Sequence, residues 1–253
     1  MLQFVNHDHD RHFVHQDAHS LANLTTARGD DTTKHLLLTC SGSVATIKLP
    51  NIIEALSKHA GKLSIRIILT TSARKFLAGQ SAEQPTISEI LHMPNVEAVY
   101  EDADEWGPHP WKRGASILHI ELRRWADLLV VAPLSANTLA KIVNGMSDSL
   151  LTSVVRAWDT DGGIDGRRKV IVVAPAMNSA MWRHPVTGKQ IKVLTDDWGV
   201  RDGEGGENGA AGEGWFQVLL PISKTLACGD TGDGAMASVE AIAKVIEDRL
   251  ELS

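Results

Sequence analysis

The chain has 253 residues, is 43% hydrophobic and carries a formal charge of −6; it is long enough to bury a substantial core and too acidic for a broad nucleic-acid surface. Only two cysteines occur, Cys40 and Cys228, which excludes a disulfide framework or a four-thiolate zinc cluster and fits a reducing compartment. No apolar run approaches the roughly 20 residues of a membrane span and no signal-peptide core opens the chain, so a cytoplasmic protein with no membrane partner is expected.

Residues 1–32 carry His7, His9, His12, His15 and His19 among polar residues with no period. This stretch reads as a flexible leader, a solvated tail rather than a metal site, in front of one domain over 33–253. His35–Cys40 (HLLLTC) is a buried strand followed by SGSVATIKLPNIIEALSKH, a glycine turn opening an amphipathic helix. Gly42 lets the backbone turn or approach a ligand closely, and Ser43 can cap the helix and donate to an anion. A single glycine after a strand is a weak phosphate signal. A second strand, Ser64–Leu69, ends in the hydroxyls of Thr70, Thr71 and Ser72, with the helical ARKFL beyond. Residues 80–95 form a loop with a short helical piece, Val96–Tyr100 a third strand, and the acidic EDADEW (101–106) a solvated connection. Trp106 and Trp111 are read as packing residues.

The stretch 117–138, ILHIELRRWADLLVVAPLSANT, is the densest in chemistry. His119 and LRRWAD form an amphipathic helix, Leu128–Ala132 a buried strand, and Ser135, Ala136, Asn137 and Thr138 a helix start rich in donors. Open parallel sheets bind ligands at the carboxyl ends of their strands, so the site is expected here. Residues 139–159 read as a helix pair, 159–168 (DTDGGIDGRR) as an inserted surface loop, and 169–177 as a buried strand leading to PAMNSAMW (175–182), where Asn178 can both donate and accept. Met177, Met181 and Trp182 read as core or pocket wall. The glycine-rich 200–216 is a flexible insertion, 218–222 a last short strand, 226–237 a glycine loop carrying Cys228, and 239–252 a closing amphipathic helix. Strands alternating with helices give an α/β fold with a doubly wound parallel sheet in a single domain. Cys40 is assigned to the core.

Five segments in this order, SGSVA (41–45), LHIELRRWAD (118–127), APLSANT (132–138), PAMNSAMW (175–182) and ACGDTGDGAMA (227–237), resemble the FMN-dependent cysteine decarboxylases, over roughly 35–250. The resemblance implies a Rossmann-like (flavodoxin-like) fold, bound FMN, no metal, and a homotrimer with active sites between subunits. It further implies decarboxylation of a small-molecule substrate, 4′-phosphopantothenoylcysteine, to 4′-phosphopantetheine in coenzyme A biosynthesis. Carried over by position, Gly42, Ser43, Val44, Thr70, Ser72, Phe76, Ser135, Ala136, Asn137, Thr138 and Ala174 hold FMN. Asn178, Arg124 and Met181 bind substrate, His119 is the catalytic base and Cys228 the acid. In the implied chemistry the substrate thiol is oxidised by the flavin to a thioaldehyde, CO₂ departs, and the resulting enethiol is reduced while Cys228 supplies a proton. A histidine titrates near neutral pH, and an asparagine can hold a carboxylate without adding charge.

Thr231 and Asp233 stand where the family often has an aromatic residue and an asparagine, so the substrate lid is expected to close differently. Fungal relatives of this fold that inhibit a type 1 protein phosphatase supply the alternative reading, a regulatory subunit. Decarboxylation of a peptide's C-terminal cysteine is a third. The presence of His119, Asn178 and Cys228 together favours the enzyme.

Overall fold

The computed structural model describes residues 32–106, 110–201, 214–225 and 231–252. Within them β1 (Lys34–Cys40), β2 (Leu63–Leu69), β3 (Val96–Glu101), β4 (Leu128–Leu134), β5 (Ile171–Pro175) and β6 (Phe216–Val218) form one parallel sheet in the order β3-β2-β1-β4-β5-β6. This is the Rossmann-type doubly wound order.

The short apolar runs become central strands because both of their faces are covered. Successive side chains of a strand point to opposite faces, so Leu36 and Leu38 of β1 pack with Leu128 and Val130 of β4, while Leu37 packs with Leu129 and Val131 on the other side. The first face is covered by α1 (Leu49–Ala55) and by α9 (Val239–Leu250), the latter through Ile242, Ile246 and Leu250. The second is covered by α4 (Leu118–Trp125), α5 (Ala136–Val143) and α6 (Leu150–Arg156). Shorter helices α2 (Thr71–Arg74), α3 (Ile87–Leu91), α7 (Ser179–Arg183) and α8 (Pro185–Lys192) complete the layers. Among the described residues no helix is long and apolar enough to cross a membrane.

Several expectations are corrected. The last parallel strand is Phe216–Val218, not 218–222, and so begins inside the stretch expected to be an insertion. Three residues are too few to show a period, and the strand is fixed instead by pairing with β5 and by the stacked Trp198, Trp215 and Phe216 rings. Part of the expected glycine loop is a strand: β8 (Thr231–Ala235) pairs antiparallel with β7 (Ile222–Thr225). Residues 1–31 of the leader and residues 202–213, expected to be flexible, lie outside the described residues, as does Cys228.

The loop 159–168 is anchored rather than merely laid on the surface. Buried Asp159 accepts from the N–H groups of Gly162, Ile164 and Asp165. Asp165 then pairs with Arg123 of α4 at 2.6 Å and with Lys169 at 2.7 Å, with all three side chains under 10% exposed. Just before β4, Asp127 accepts from the His35 N–H at 2.8 Å and pairs with Arg167. Burial alone would raise the Asp127 pKa, but the His35 hydrogen bonds and then Arg167 outweigh it and hold the group down to about 2. Charged pairs thus close the N-terminal edge of β1, β4 and β5.

Candidate functional site

In this strand order the chain winds away in opposite directions from β1 and β4, so the loops at their C-terminal ends diverge and leave a crevice. Fully buried Ser41 ties its two sides together. Its N–H and its hydroxyl donate to the Pro133 carbonyl at 3.0 and 2.9 Å, and its oxygen accepts from the Ser135 N–H at 2.7 Å. Beside it Gly42 is required by packing, because a Cβ there would stand 2.6 Å from the Ser72 Cβ.

Each strand exit around the crevice ends on a polar helix cap. Ser43 accepts from the Ala45 N–H and opens a 3₁₀ turn (Val44–Lys48). Thr70 caps α2 through the Ala73 N–H, Ser135 caps α5 through the Thr138 N–H, and Asn178 caps α7 through the Met181 N–H at 2.9 Å. Capping residues satisfy the otherwise unpaired donors of a first turn. The same residues thereby become the rim of a ligand site.

Two adjoining cavities occupy the crevice. The larger, of about 1090 Å³, is bounded by Gly42, Ser43, Val44, Phe76, Ser135, Ala136, Asn137, Asn178 and Met181. The smaller, of about 250 Å³, is bounded by Thr70, Thr71, Ser72, Asp102 and Thr138, and shares Gly42, Ser135 and Asn137 with the first. Hydroxyls, amides and N–H groups dominate the smaller one, while Lys141 on its wall is held by Asp148 at 2.6 Å. An anionic group there would be met mainly by neutral donors.

Asn178 has a defined orientation. A backbone N–H can only donate, so the amide oxygen must face Met181, and the Nδ2 donors remain for a ligand. The β7/β8 hairpin lies against the same turn. The Met177 N–H donates to the Gly234 carbonyl at 3.0 Å, and a Cβ on Gly234 would stand 2.2 Å from the Met177 oxygen. Asp233 accepts from Arg183 of α7 at 2.8 Å and from Ser223 at 2.9 Å, which lowers its pKa. Asp233, one of the two departures from the family pattern, therefore joins β8 to the helix that follows Asn178.

Three expected site residues among those described, Ala174, Arg124 and His119, do not line these cavities. Ala174 is fully buried within β5, and the lining begins two residues later at Ala176, where the strand has ended. Arg124 is 53% exposed and bonds Glu121 at 3.0 Å; five residues beyond His119, it points about 140° away around the helix. Cys228 lies outside the described residues. His119, near the start of α4, lines neither cavity. Its Nδ1 lies 2.5 Å from Oε1 of Glu105, whose side chain is 6% exposed.

The acidic segment expected to be a solvated connection is thus a set of ligands for neighbouring elements. Asp102 accepts from the Thr71 N–H and hydroxyl with one oxygen and from the Leu150 N–H with the other. Sequence reasoning missed Asp102, Glu105 and Ser41. Only Ser41 carried a signal, its place between a strand and Gly42; the two acids meet partners 31 or 48 and 14 residues away, separations with no local period.

Comparison with known proteins agrees with this architecture. The chain is 40% identical over 208 residues to a phosphopantothenoylcysteine decarboxylase of Arabidopsis thaliana, covering 82% of this chain and 80% of the relative. A PPC decarboxylase carrying a cysteine-to-serine substitution, solved with pantothenoylaminoethenethiol, superposes with a TM-score of 0.67 at 37% identity, over 87% of this chain and 99% of that one. The FMN binding protein AtHal3 gives 0.63 at 37% identity, over 87% of this chain and 98% of that one. A family model described as Flavoprotein matches residues 24–251, and with these relatives it shows that the chain belongs to the flavoprotein family.

Proposed function

We propose that the chain binds FMN and decarboxylates 4′-phosphopantothenoylcysteine to 4′-phosphopantetheine, a step of coenzyme A biosynthesis. The observation that carries this reading is the pair of joined cavities, with neutral donors in the smaller and the Asn178 amide donors in the larger. The Ser72 hydroxyl and the Asn137 amide make no hydrogen bond to other described residues and are open to an acceptor-rich group. When bound, FMN supplies the reversible two-electron chemistry that an unactivated carboxylate needs before it can leave.

The chain's own residues supply the rest. Asn178 holds the substrate carboxylate with Nδ2 and adds no charge that would oppose its loss. His119 takes a proton from the substrate, and Cys228 returns one. His119 lines neither of the two cavities, and Trp106 and Trp111, 66% and 53% exposed, lie on the segment between Glu105 and α4. Both facts support a homotrimer in which a second copy brings His119 to the cavity. Cys40 fits a reducing, cytoplasmic setting: it is buried, it donates to the Ala132 carbonyl, and burial pushes its thiol pKa well up.

The test is an absorbance spectrum and a light-scattering mass of the purified protein, then anaerobic addition of 4′-phosphopantothenoylcysteine with CO₂ and product followed. Flavin bands, a mass of three chains and phosphopantetheine are expected. Flavin without turnover would move the reading to a regulatory subunit able to bind a type 1 protein phosphatase. No flavin would overturn it.

A further inference from the structure

We infer that Glu105 is a positioning residue for His119, fixing the imidazole with its proton on Nδ1 and its lone pair on Nε2. The inference rests on the proposed role of His119 and deepens it. Three observations carry it. Glu105 Oε1 and His119 Nδ1 are 2.5 Å apart, in direct hydrogen-bond contact. The Glu105 side chain is 6% exposed, whereas that of His119 is 21% exposed, so the acid is the inner member and the imidazole the outer. The second carboxylate oxygen, Oε2, is buried with no hydrogen-bond partner among the described residues.

A carboxylate is a costly way to hold a purely structural histidine, since a backbone carbonyl would accept the same bond without burying a charge. Like a carbonyl, a carboxylate accepts and cannot donate; what it adds is negative charge. Facing it, Nδ1 must be the protonated nitrogen, and Nε2 is left as the only basic one. It also favours the charged imidazole that forms when Nε2 takes a proton, the arrangement by which an aspartate serves a histidine in hydrolytic triads. Glu105 is brought in by the 3₁₀ turn Asp102–Asp104 that ends β3, so the strand preceding α4 determines how its histidine is held.

The experiment uses the full-length holoprotein. Ring-nitrogen NMR, with His119 assigned from its loss in His119→Asn, should report the Nδ1-protonated tautomer in the unaltered protein. In Glu105→Gln, whose neutral amide can accept from or donate to Nδ1, the tautomer should no longer be fixed as one form, and kcat should fall on the order of 10²- to 10⁴-fold with KM within about threefold and the FMN absorbance unchanged. Glu105→Asp, which keeps the charge one methylene shorter, should recover part of kcat. An Nε2-protonated His119 in the unaltered protein overturns the inference, as does a Glu105→Gln variant with unchanged kcat or with a loss confined to KM. Because the tautomer is read directly, the test stands if Glu105→Gln fails to fold or if the protein does not turn over phosphopantothenoylcysteine. Full turnover by His119→Asn would instead sink the catalytic role assigned to that residue, while the tautomer would still decide the pairing.

Discussion

The two edges of the one sheet are built from different chemistry. At the C-terminal edge, Ser41, Ser43, Thr70, Ser135 and Asn178 are neutral, and their caps and hydroxyls frame the cavities. At the N-terminal edge, Asp127 with Arg167, and Asp165 with Arg123 and Lys169, form buried or half-buried charge pairs, and the His35 N–H donates to Asp127. Neutral donors can be left for an anionic ligand at little cost. Buried charges must be matched within the protein, and they specify one arrangement rather than offer a site. Asp102, Lys141 and Asp148 are charged residues on the smaller cavity's wall, and each is committed to a partner: Asp102 to Thr71 and Leu150, Lys141 to Asp148.

The largest effect that would sharpen this contrast is on catalysis. His119→Asn should lower kcat on the order of 10²- to 10⁴-fold while flavin absorbance and melting temperature stay near those of the unaltered protein. A parallel loss of flavin would mean that α4 is part of the cofactor cavity after all. Next comes the charged edge. Asp165→Ala leaves Lys169 and Arg123 buried without their shared partner and should cost about 3–5 kcal/mol in denaturant unfolding, with the cavities still able to take up flavin in the folded fraction. Loss below 1 kcal/mol would show that water reaches the cluster.

Asp127 gives the acid sensitivity of the same edge. Its folded pKa of about 2 lies below the ordinary 3.8, so its contribution is present above pH 3.8 and is lost as pH falls from there towards 2. The magnitude is roughly 2 kcal/mol. Asp127→Asn should therefore be less stable than the unaltered protein at pH 7, and the gap should close by pH 2 in parallel denaturant titrations. The smallest effect belongs to the neutral edge. Ser41→Ala removes two hydrogen bonds and leaves the Ser135 N–H bare, at about 1–3 kcal/mol. Weaker flavin binding should accompany it, measured by the release of FMN on dilution.

Most of the cavity edge was legible because its signals are local. A strand followed by Ser, Thr or Asn and then by a helix is a cap, and caps at strand exits frame a ligand site; Ser43, Thr70, Ser135 and Asn178 all follow that rule. Ala174 and Arg124 did not reach the cavities, because a position carried over by motif does not specify whether a strand has ended or which side of a helix a residue occupies. The acidic 101–106 segment was misread, and the surface loop 159–168 gave no sign of its anchors at Asp159 and Asp165, for one reason: a charged stretch resembles a solvated connection until its partners are known.

The sequence by itself determined the alternation of strands and helices, the buried runs at Leu36–Leu38 and Leu128–Val131, the polar strand exits and the family to which they belong. Those follow from hydrophobic period and capping, which act over a few residues. Only the tertiary structure decided that Glu105 meets His119, that Asp165 joins Arg123 to Lys169, that β8 pairs with β7 and meets Met177 through Gly234, and that His119 lies off both cavities. Each depends on segments brought together by the sheet order, and a carboxylate's partner is set by that closure rather than by any neighbour in the chain.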